Sequence, residues 1–322
     1  MKLLCADIGG TNARMAIVRD STVLEIKIYP TDQVKDAIDL LKTFLKDCHE
    51  TVPDYAAFAA AGVVSGEEVK GTNIPWNIDC KAIKQELGFR KCIVLNDFEA
   101  AAWGLLAVKD KRLLHIGGGQ PDAFGTKAIL GAGTGLGEAI VVRCSQNWKV
   151  LRSEGGHASF SPRDDTGMEL LMHLRNIYGH VSFERILSGS GLAEIYEFLI
   201  RHDAKKLNDF LAVDRKKRPA YVTALARQKN RQALEAINFF FKAYGDEASN
   251  LALKCLPSGG VFLAGGVTMA LLDFLQKSPF IQAFEDKGRM SGLLRSIPVF
   301  VVTEPYLGIL GAAQCLMAGL HE

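Results

Sequence analysis

The sequence predicts an α/β protein of two domains. Strands run directly into helices along the first third of the chain, as in layered α/β folds. Over 109–126 the pattern loosens, with Gly117, Gly118, Gly119 and Pro121 close together, and a domain boundary is placed there. A strand–glycine turn–strand unit also occurs twice. Gly10-Thr11 followed by Ala16-Ile17-Val18 returns as Gly133-Thr134 followed by Ala139-Ile140-Val141, in the same relative register. This reads as one structural unit used once in each domain.

Taken in order, Leu3 to Ile8 and Ala13 to Val18 are short apolar runs bent around a glycine turn, the pattern of a hairpin. Val34, Ile38, Leu41 and Leu45 recur at helical spacing, so 32–49 is an amphipathic helix. Tyr55 to Ala61 and Lys91 to Leu95 read as strands, and a helix over 97–108 follows the second directly. Beyond the boundary comes the second hairpin, Ala128 to Val142, then helices over 167–178, 190–202 and 230–256. Val261 to Ala264 is a buried strand ending in Gly265-Gly266, Pro298 to Val302 another strand, and 307–319 a closing helix.

Composition narrows the class. Apolar residues make up 48% of the 322, enough for a buried core and against a disordered chain. A net charge of +2 gives no electrostatic case for nucleic acid or an anionic membrane. The one dense basic run, Arg215 to Arg218, lies in a polar stretch and reads as a solvated face or loop. The seven cysteines are scattered, the closest pair twelve residues apart, so reduced thiols are expected and no metal knuckle is visible. Asp7 interrupts the short apolar start, and no apolar run approaches the roughly 18 residues of a membrane span. The expectation is a soluble, cytoplasmic protein.

Two glycine-rich turns carry the first chemistry. Asp7-Ile8-Gly9-Gly10-Thr11-Asn12 and Gly131-Ala132-Gly133-Thr134-Gly135-Leu136-Gly137 lack side chains where a backbone could approach a ligand. Glycine also reaches angles that let several N–H groups converge on an anion, and threonine hydroxyls can add donors. Each turn is equally readable as a tight hairpin; two of them favour phosphate binding. Neither a dinucleotide G-x-G-x-x-G, nor a P-loop, nor a serine elbow is present, which weighs against dehydrogenases, P-loop kinases and α/β-hydrolases.

Carboxylates supply the second. Asn96-Asp97 sits at the junction of strand 91–95 and the next helix, where either residue could simply cap the helix. The same position is where open α/β sheets bind ligands, and an aspartate there is ionised at neutral pH and able to accept a proton from a hydroxyl. Glu154-Gly155-Gly156-His157 sets an acid and an imidazole three apart, a mixture of acceptor and donor that a polyol needs, although a plain turn with an incidental histidine fits as well. Glu184, in Ser182-Phe183-Glu184-Arg185, reads alone as an exposed helix residue.

In order, these pieces resemble the bacterial-type glucokinases of the hexokinase–actin–Hsp70 ATPase superfamily, from Asp7 to Gly311. The resemblance rests on Asp7–Asn12, Leu95-Asn-Asp-Phe-Glu-Ala100, Gly131–Gly137, Glu154-Gly-Gly-His157, Glu184-Arg-Ile-Leu-Ser-Gly189, Phe262-Leu-Ala-Gly-Gly266 and Phe284-Glu-Asp-Lys-Gly-Arg289. It implies a two-domain hexokinase/actin-like ATPase fold, ribonuclease H-like, with an interdomain active-site cleft. A small α/β domain would comprise 1–108 plus 303–322, and a larger α+β domain 109–302. It implies ATP with Mg²⁺ as donor and D-glucose as acceptor. Ala6, Asp7, Ile8, Gly9, Gly10, Thr11 and Asn12 with Gly131, Gly133, Thr134 and Gly135 would surround the nucleotide's phosphates, and Gly265 and Gly266 the adenosine. Asn96, Asp97, Glu154, His157 and Glu184 would hold glucose, Asp97 doubling as the base toward the 6-hydroxyl. Asp7 would act near Mg²⁺, which keeps waters and takes few carboxylates.

The resemblance also implies a homodimer feeding glycolysis. In the neighbouring ROK branch the histidine of Glu-x-Gly-His joins a cysteine cluster to hold zinc; none follows His157, so no metal site is assigned and His157 goes to the sugar. Departures are Ala6 where glycine is frequent, Ser190 in place of a proline, and an altered turn at Pro305-Tyr306-Leu307-Gly308. Three other readings stay open: a kinase of another hexose, a non-catalytic sugar sensor, and an actin-like ATPase without a sugar site.

Overall fold

The structure, a computed structural model, describes residues 1–71 and 74–320; the expected small-domain segment 303–322 ends in His321 and Glu322, outside the described residues. Contacts divide the chain into two compact units, Met1–Leu113 with Cys144–Leu151 and Glu304–Glu322, and Leu114–Arg143 with Arg152–Thr303.

The first unit holds β1 (Lys2–Ile8), β2 (Asn12–Arg19), β3 (Thr22–Pro30), β4 (Tyr55–Ala60), β5 (Gly62–Ser65), β6 (Glu68–Gly71), β7 (Ile78–Asp79) and β8 (Lys91–Asn96). Its main sheet runs β3-β2-β1-β4-β8, with β1 antiparallel to β2 and parallel to β4, and β4 parallel to β8. Strands β1 and β4 are buried on both faces, so they read as continuous apolar runs rather than alternating ones. The period of two sorts β1 between two cores. Leu4, Ala6 and Ile8 join Leu40, Leu41 and Phe44 of helix Ala37–Asp47 on one face. Leu3 and Cys5 join Ala100 of helix Asp97–Gly104 and Ile309, Ala312 and Leu316 of helix Leu307–Ala318 on the other.

Those last two helices touch backbone to backbone. A Cβ on Gly311 would lie 1.6 Å from the Ala100 carbonyl oxygen, and one on Gly104 2.3 Å from that of Leu307. Only glycine allows this approach, which locks the closing helix onto the helix that begins at Asp97.

The second unit carries β9 (Leu113–Gly117), β10 (Lys127–Ala132), β11 (Leu136–Cys144), β13 (Gly260–Ala264) and β14 (Val299–Val302), in the order β11-β10-β13-β14-β9; β12 is Asn147–Ser153. Here β10 is antiparallel to β11 and parallel to β13, and β13 is parallel to β14. These are the relations of β1 to β2 and β4, and of β4 to β8. The repeated Gly-Thr turn therefore marks the same hairpin in two copies of one topology. The 25-residue helix Arg231–Cys255 fills this unit's core. Tyr244, wholly buried on it, donates to the Leu130 carbonyl of β10 at 3.2 Å and packs edge-on against Phe240 and Phe280.

Several elements differ from expectation for local reasons. The helix expected over 32–49 is Ala37–Asp47, because Asp36 caps it by accepting from Asp39 N at 2.8 Å and Thr31–Gln33 forms a separate 3-10 turn. The helix from Asp97 stops at Gly104 rather than 108. The loosened stretch contains strand β9, and β3, β12 and helices Ala204–Leu211 and Arg218–Arg227 are additional. In the basic run, Arg215–Lys217 is an exposed turn, but Arg218 departs from the solvated reading. Its guanidinium packs 5.1 Å over the Phe210 ring and donates to the Val213 and Leu211 carbonyls, closing the end of a helix. Cys80 and Cys92, the closest pair in sequence, meet in the core as free thiols. Among the described residues no helix is long and apolar enough to cross a membrane.

Gly311→Ala is expected to lower stability by about 1–3 kcal/mol, since the added methyl meets backbone that cannot yield. Gly292→Ala, whose Cβ meets nothing within 4 Å, is the control. Urea midpoints of the two variants check this; equal midpoints would show that the helix contact is not tight.

Candidate active site

In the first unit, register sets the site. Ile8, Ala60 and Asn96 stand side by side at the ends of β1, β4 and β8, so the loop after β1 and the Asn96-Asp97 pair open at the same carboxyl edge. Two strand spacings, about 10 Å, separate them. This edge is where open parallel sheets bind ligands.

The loop is held from behind. Gly9 N donates to Asn12 O at 3.0 Å, and the fully buried Thr31 clamps both sides, its N–H on Thr11 O at 3.0 Å and its hydroxyl on Gly9 O at 2.9 Å. Gly10, Thr11 and Asn12 are exposed, while Ala6 and Ile8 lie in the core beneath them. At the loop's base Arg14 Nη1 donates to Asp7 Oδ2 at 3.0 Å. Burial pushes the Asp7 carboxyl above its usual range, and the Arg14 guanidinium pulls it back. A Cβ on Gly308 would come within 3.3 Å of the Asp7 carboxyl carbon, so the altered turn into the last helix abuts this residue.

The cap question at Asn96-Asp97 has a definite answer. Asn96 is the N-cap of helix Asp97–Gly104: its Oδ1 accepts from Phe98 N at 2.9 Å and Glu99 N at 3.3 Å, and its Nδ2 donates to Gly62 O at 3.4 Å. Asp97 is then the first helical residue, exposed, with Oδ1 accepting from Phe98 N at 2.8 Å. A carboxylate in a first turn is favoured by the helix dipole.

In the second unit, Gly133-Thr134-Gly135 forms the tip of the β10–β11 hairpin. Gly133 N donates to Gly135 O at 2.8 Å, and Gly189 N donates to Gly133 O at 2.9 Å, tying the tip to the start of helix Gly189–Ile200. Ser188 caps that helix, and its hydroxyl lies 3.1 Å from that of Ser190, the residue standing where a proline is frequent.

Glu184 is on a short turn, Phe183–Arg185, anchored by buried Phe183. Its Oε2 accepts from Leu136 N at 3.1 Å and its Oε1 lies 3.9 Å from His157 Nδ1. A Cβ on Gly135 would sit 2.3 Å from Glu184 Oε2, so glycine there leaves the room that the carboxylate fills. The Glu154–His157 turn lies against the start of β11, with a Cβ on Gly156 only 2.1 Å from Leu136 O. Glu154 and His157 are exposed, and His180 Nε2 donates to the His157 carbonyl at 3.1 Å. Gly131 pairs with Ala264, which brings Gly265 and Gly266 to the same edge as the hairpin tip. Gly265 has φ +96°, and its Cβ would be 2.2 Å from Ala132 O; Gly266 opens onto clear space.

The structure thus gathers Asp7 to Asn12 with Asn96 and Asp97 in one unit, and Gly131 to Gly135 with Glu154, His157, Glu184, Gly265 and Gly266 in the other. Sequence reasoning missed Arg14 and Thr31, and gave Gly189 and Gly308 no part in the site. Arg14 was accessible from hairpin register, since Asp7 faces it across β1 and β2. Thr31 had no local signal.

Asn96→Ala is expected to cost about 1 kcal/mol through the lost cap. Asp97→Asn should stay within roughly 0.5 kcal/mol of the parent. Chemical denaturation of both variants separates the capping residue from its neighbour, and equal losses would contradict the assignment.

The glucokinase of Neisseria gonorrhoeae is 38% identical over 97% of this chain and 94% of its own length, and that of Marinobacter nauticus 39% over 97% and 96%. Among solved structures, a glucokinase from an Antarctic psychrotroph superposes with a TM-score of 0.86 at 31% identity, covering 98% of each chain. A ROK family glucokinase from Streptomyces griseus in complex with glucose and AMPPNP shares the fold, with a TM-score of 0.68 at 20% identity over 98% and 99%. The architecture is the hexokinase/actin-like ATPase fold of sugar kinases. With the glucokinase family profile matching residues 4–319, the chain belongs to the glucokinase family of ATP-dependent sugar kinases.

Proposed function

We propose that this chain transfers the γ-phosphoryl group of ATP to the 6-hydroxyl of D-glucose with Asp97 as the general base. The observation that carries the assignment is the division of labour at the end of β8. Asn96 takes the capping bonds, so Asp97 stands exposed at the ligand edge. Asn96, Glu154, His157 and Glu184 then hold the sugar, the carboxylates accepting from hydroxyls while the imidazole and the asparagine amide donate.

Two features suit the donor ATP. Exposed loop residues Gly10–Asn12 and the Thr134-Gly135 tip of the second hairpin offer backbone N–H groups to phosphate oxygens, and Gly266 leaves open space at the edge of the second sheet. Ala6 and Ile8 support that loop by packing, with no exposed surface for the nucleotide. Mg²⁺ would neutralise phosphate charge, and Asp7, at the base of the first loop, would meet it through water. What these residues do for the transfer is position the 6-hydroxyl beside Asp97 and steady the phosphates. The reading extends to a homodimer and to cytoplasmic supply of glucose 6-phosphate for glycolysis.

Asp97→Ala should cut glucose-dependent turnover by roughly 10²–10⁴-fold, the loss typical of a missing general base, with ATP still bound. Glucose 6-phosphate formation beside an ATP titration checks this. Near-normal turnover would move the base elsewhere.

A further inference from the structure

Among the buried carboxyls that the machinery described so far leaves unused, two lie together. Glu138, on β11, is 3% exposed, and Glu247, on helix Arg231–Cys255, is 1% exposed. They lie within hydrogen-bonding reach of one another. The Oε1 atom of each is buried without an N–H or O–H donor among the described residues. Two carboxylates cannot hydrogen bond to each other; a carboxyl and a carboxylate can, by sharing one proton.

The surrounding donors say which member holds it. Lys287 Nζ donates to Asn250 Oδ1 at 2.8 Å, and Asn250 Nδ2 donates to Glu247 Oε2 at 2.9 Å. The relay points at Glu247, making it the acceptor and leaving the proton on Glu138. Other ionisable groups facing the pair are Lys254, Tyr244 and Cys255 from the long helix, besides Lys287. Burial keeps the tyrosine and the thiol neutral, with Cys255 pushed up to about 11. Burial first, and the Glu247 charge next, raise Glu138 to about 8.

Directly above Glu138 is the turn that carries two of the proposed sugar residues. A Cβ on Gly155 would lie 2.0 Å from Glu138 Oε2, so the turn backbone rests on this carboxyl with no space between. Gly155 N is also held by Ser153 Oγ at 2.9 Å.

We propose that Glu138 and Glu247 share a single proton and form a positioning element for the sugar site, the neutral Glu138 carboxyl supporting the Glu154–His157 turn. The proposal rests on the assignment of Glu154 and His157 to the sugar. Below about pH 8 the proton is present and the turn is seated. As pH rises through that value the proton is lost, two buried like charges face each other, and Glu138 is driven against Gly155. The relay also gives a place to Lys287, in the Phe284–Arg289 motif that the catalytic reading leaves without a part.

Glucose KM, ATP KM and kcat are measured from pH 6.5 to 9.5 for the parent, Glu138→Gln and Glu247→Gln. For the parent, glucose KM should rise about tenfold between pH 7 and pH 9, as one proton is lost near pH 8, with kcat and ATP KM flat. Glu138→Gln, whose amide donates to Glu247 at every pH, should show no break. Glu247→Gln, which offers a donor to Glu138, should move the break to lower pH. A parent without a break, or the parent's break persisting in Glu138→Gln, overturns the proposal. The proton is read independently by infrared spectroscopy of the folded parent. One protonated-carboxyl band present at pH 7 and lost by pH 9 supports it, and absence of that band at pH 7 overturns it without any variant having to fold. Glu154→Gln at pH 7 tests the underlying assignment: an unchanged glucose KM there refutes the sugar site, whereas the infrared result stands by itself.

Discussion

The parallel register of neighbouring strands is the constraint from which the rest follows. Where β1, β4 and β8 run side by side, their carboxyl ends fall on one line, and the chain must leave each strand by a turn or a helix start. Backbone N–H groups at such exits have no ladder partner, so a cap, a turn or a ligand must take them. The first glycine loop and the Asn96-Asp97 pair are two exits from one sheet edge. In the second unit the Gly133–Gly135 tip and Gly265-Gly266 are likewise the exits of β10 and β13. Duplicating one topology therefore duplicates a ligand-facing edge, before any side chain is chosen.

Side chains then decide what each edge can do, and helices fix them in place. The closing helix Leu307–Ala318 reaches the helix bearing Asp97 only because Gly311 and Gly104 carry no Cβ. That contact transmits rigidity from the C-terminal segment to a residue more than 200 positions earlier in the chain. In the second unit Glu184 is steadied by a main-chain N–H of the hairpin, so the second loop and this carboxylate move as one piece. Precision of this kind comes from packing and hydrogen bonds to ordered backbone.

Much of this was legible in the sequence, and the reason is local. Hairpins announce themselves through apolar runs broken by glycine, so Leu3–Val18 and Ala128–Val142 were placed closely, and the Gly-Thr echo between them marked the duplicated topology. Asp7, Asn96 and Asp97 were visible because strand ends are predictable. What escaped depends on distance along the chain. Glu184, which the resemblance alone set beside the sugar, reads by itself as a solvent-facing helix residue until its contact with Leu136, 48 residues away, is seen. Thr31 clamps the first loop only because β3 folds back beside β2. Arg218 reads as part of a solvated run until the ring of Phe210 is placed beneath it. No periodicity encodes such pairings.

Glu138 sharpens the point, because here local rules give the wrong expectation. A buried position on a core strand favours a β-branched apolar residue, which would fill the space without desolvating a carboxyl. Burying two carboxyls costs more than burying one, and sharing a proton offsets only part of that cost. The pair therefore calls for an explanation outside packing. Its surroundings supply one: a donor relay ending on Glu247, a carboxyl on Glu138, and a glycine turn resting on that carboxyl and presenting Glu154 and His157. A methyl-sized support would bear the turn equally at every pH, whereas a carboxyl makes its seating depend on one proton.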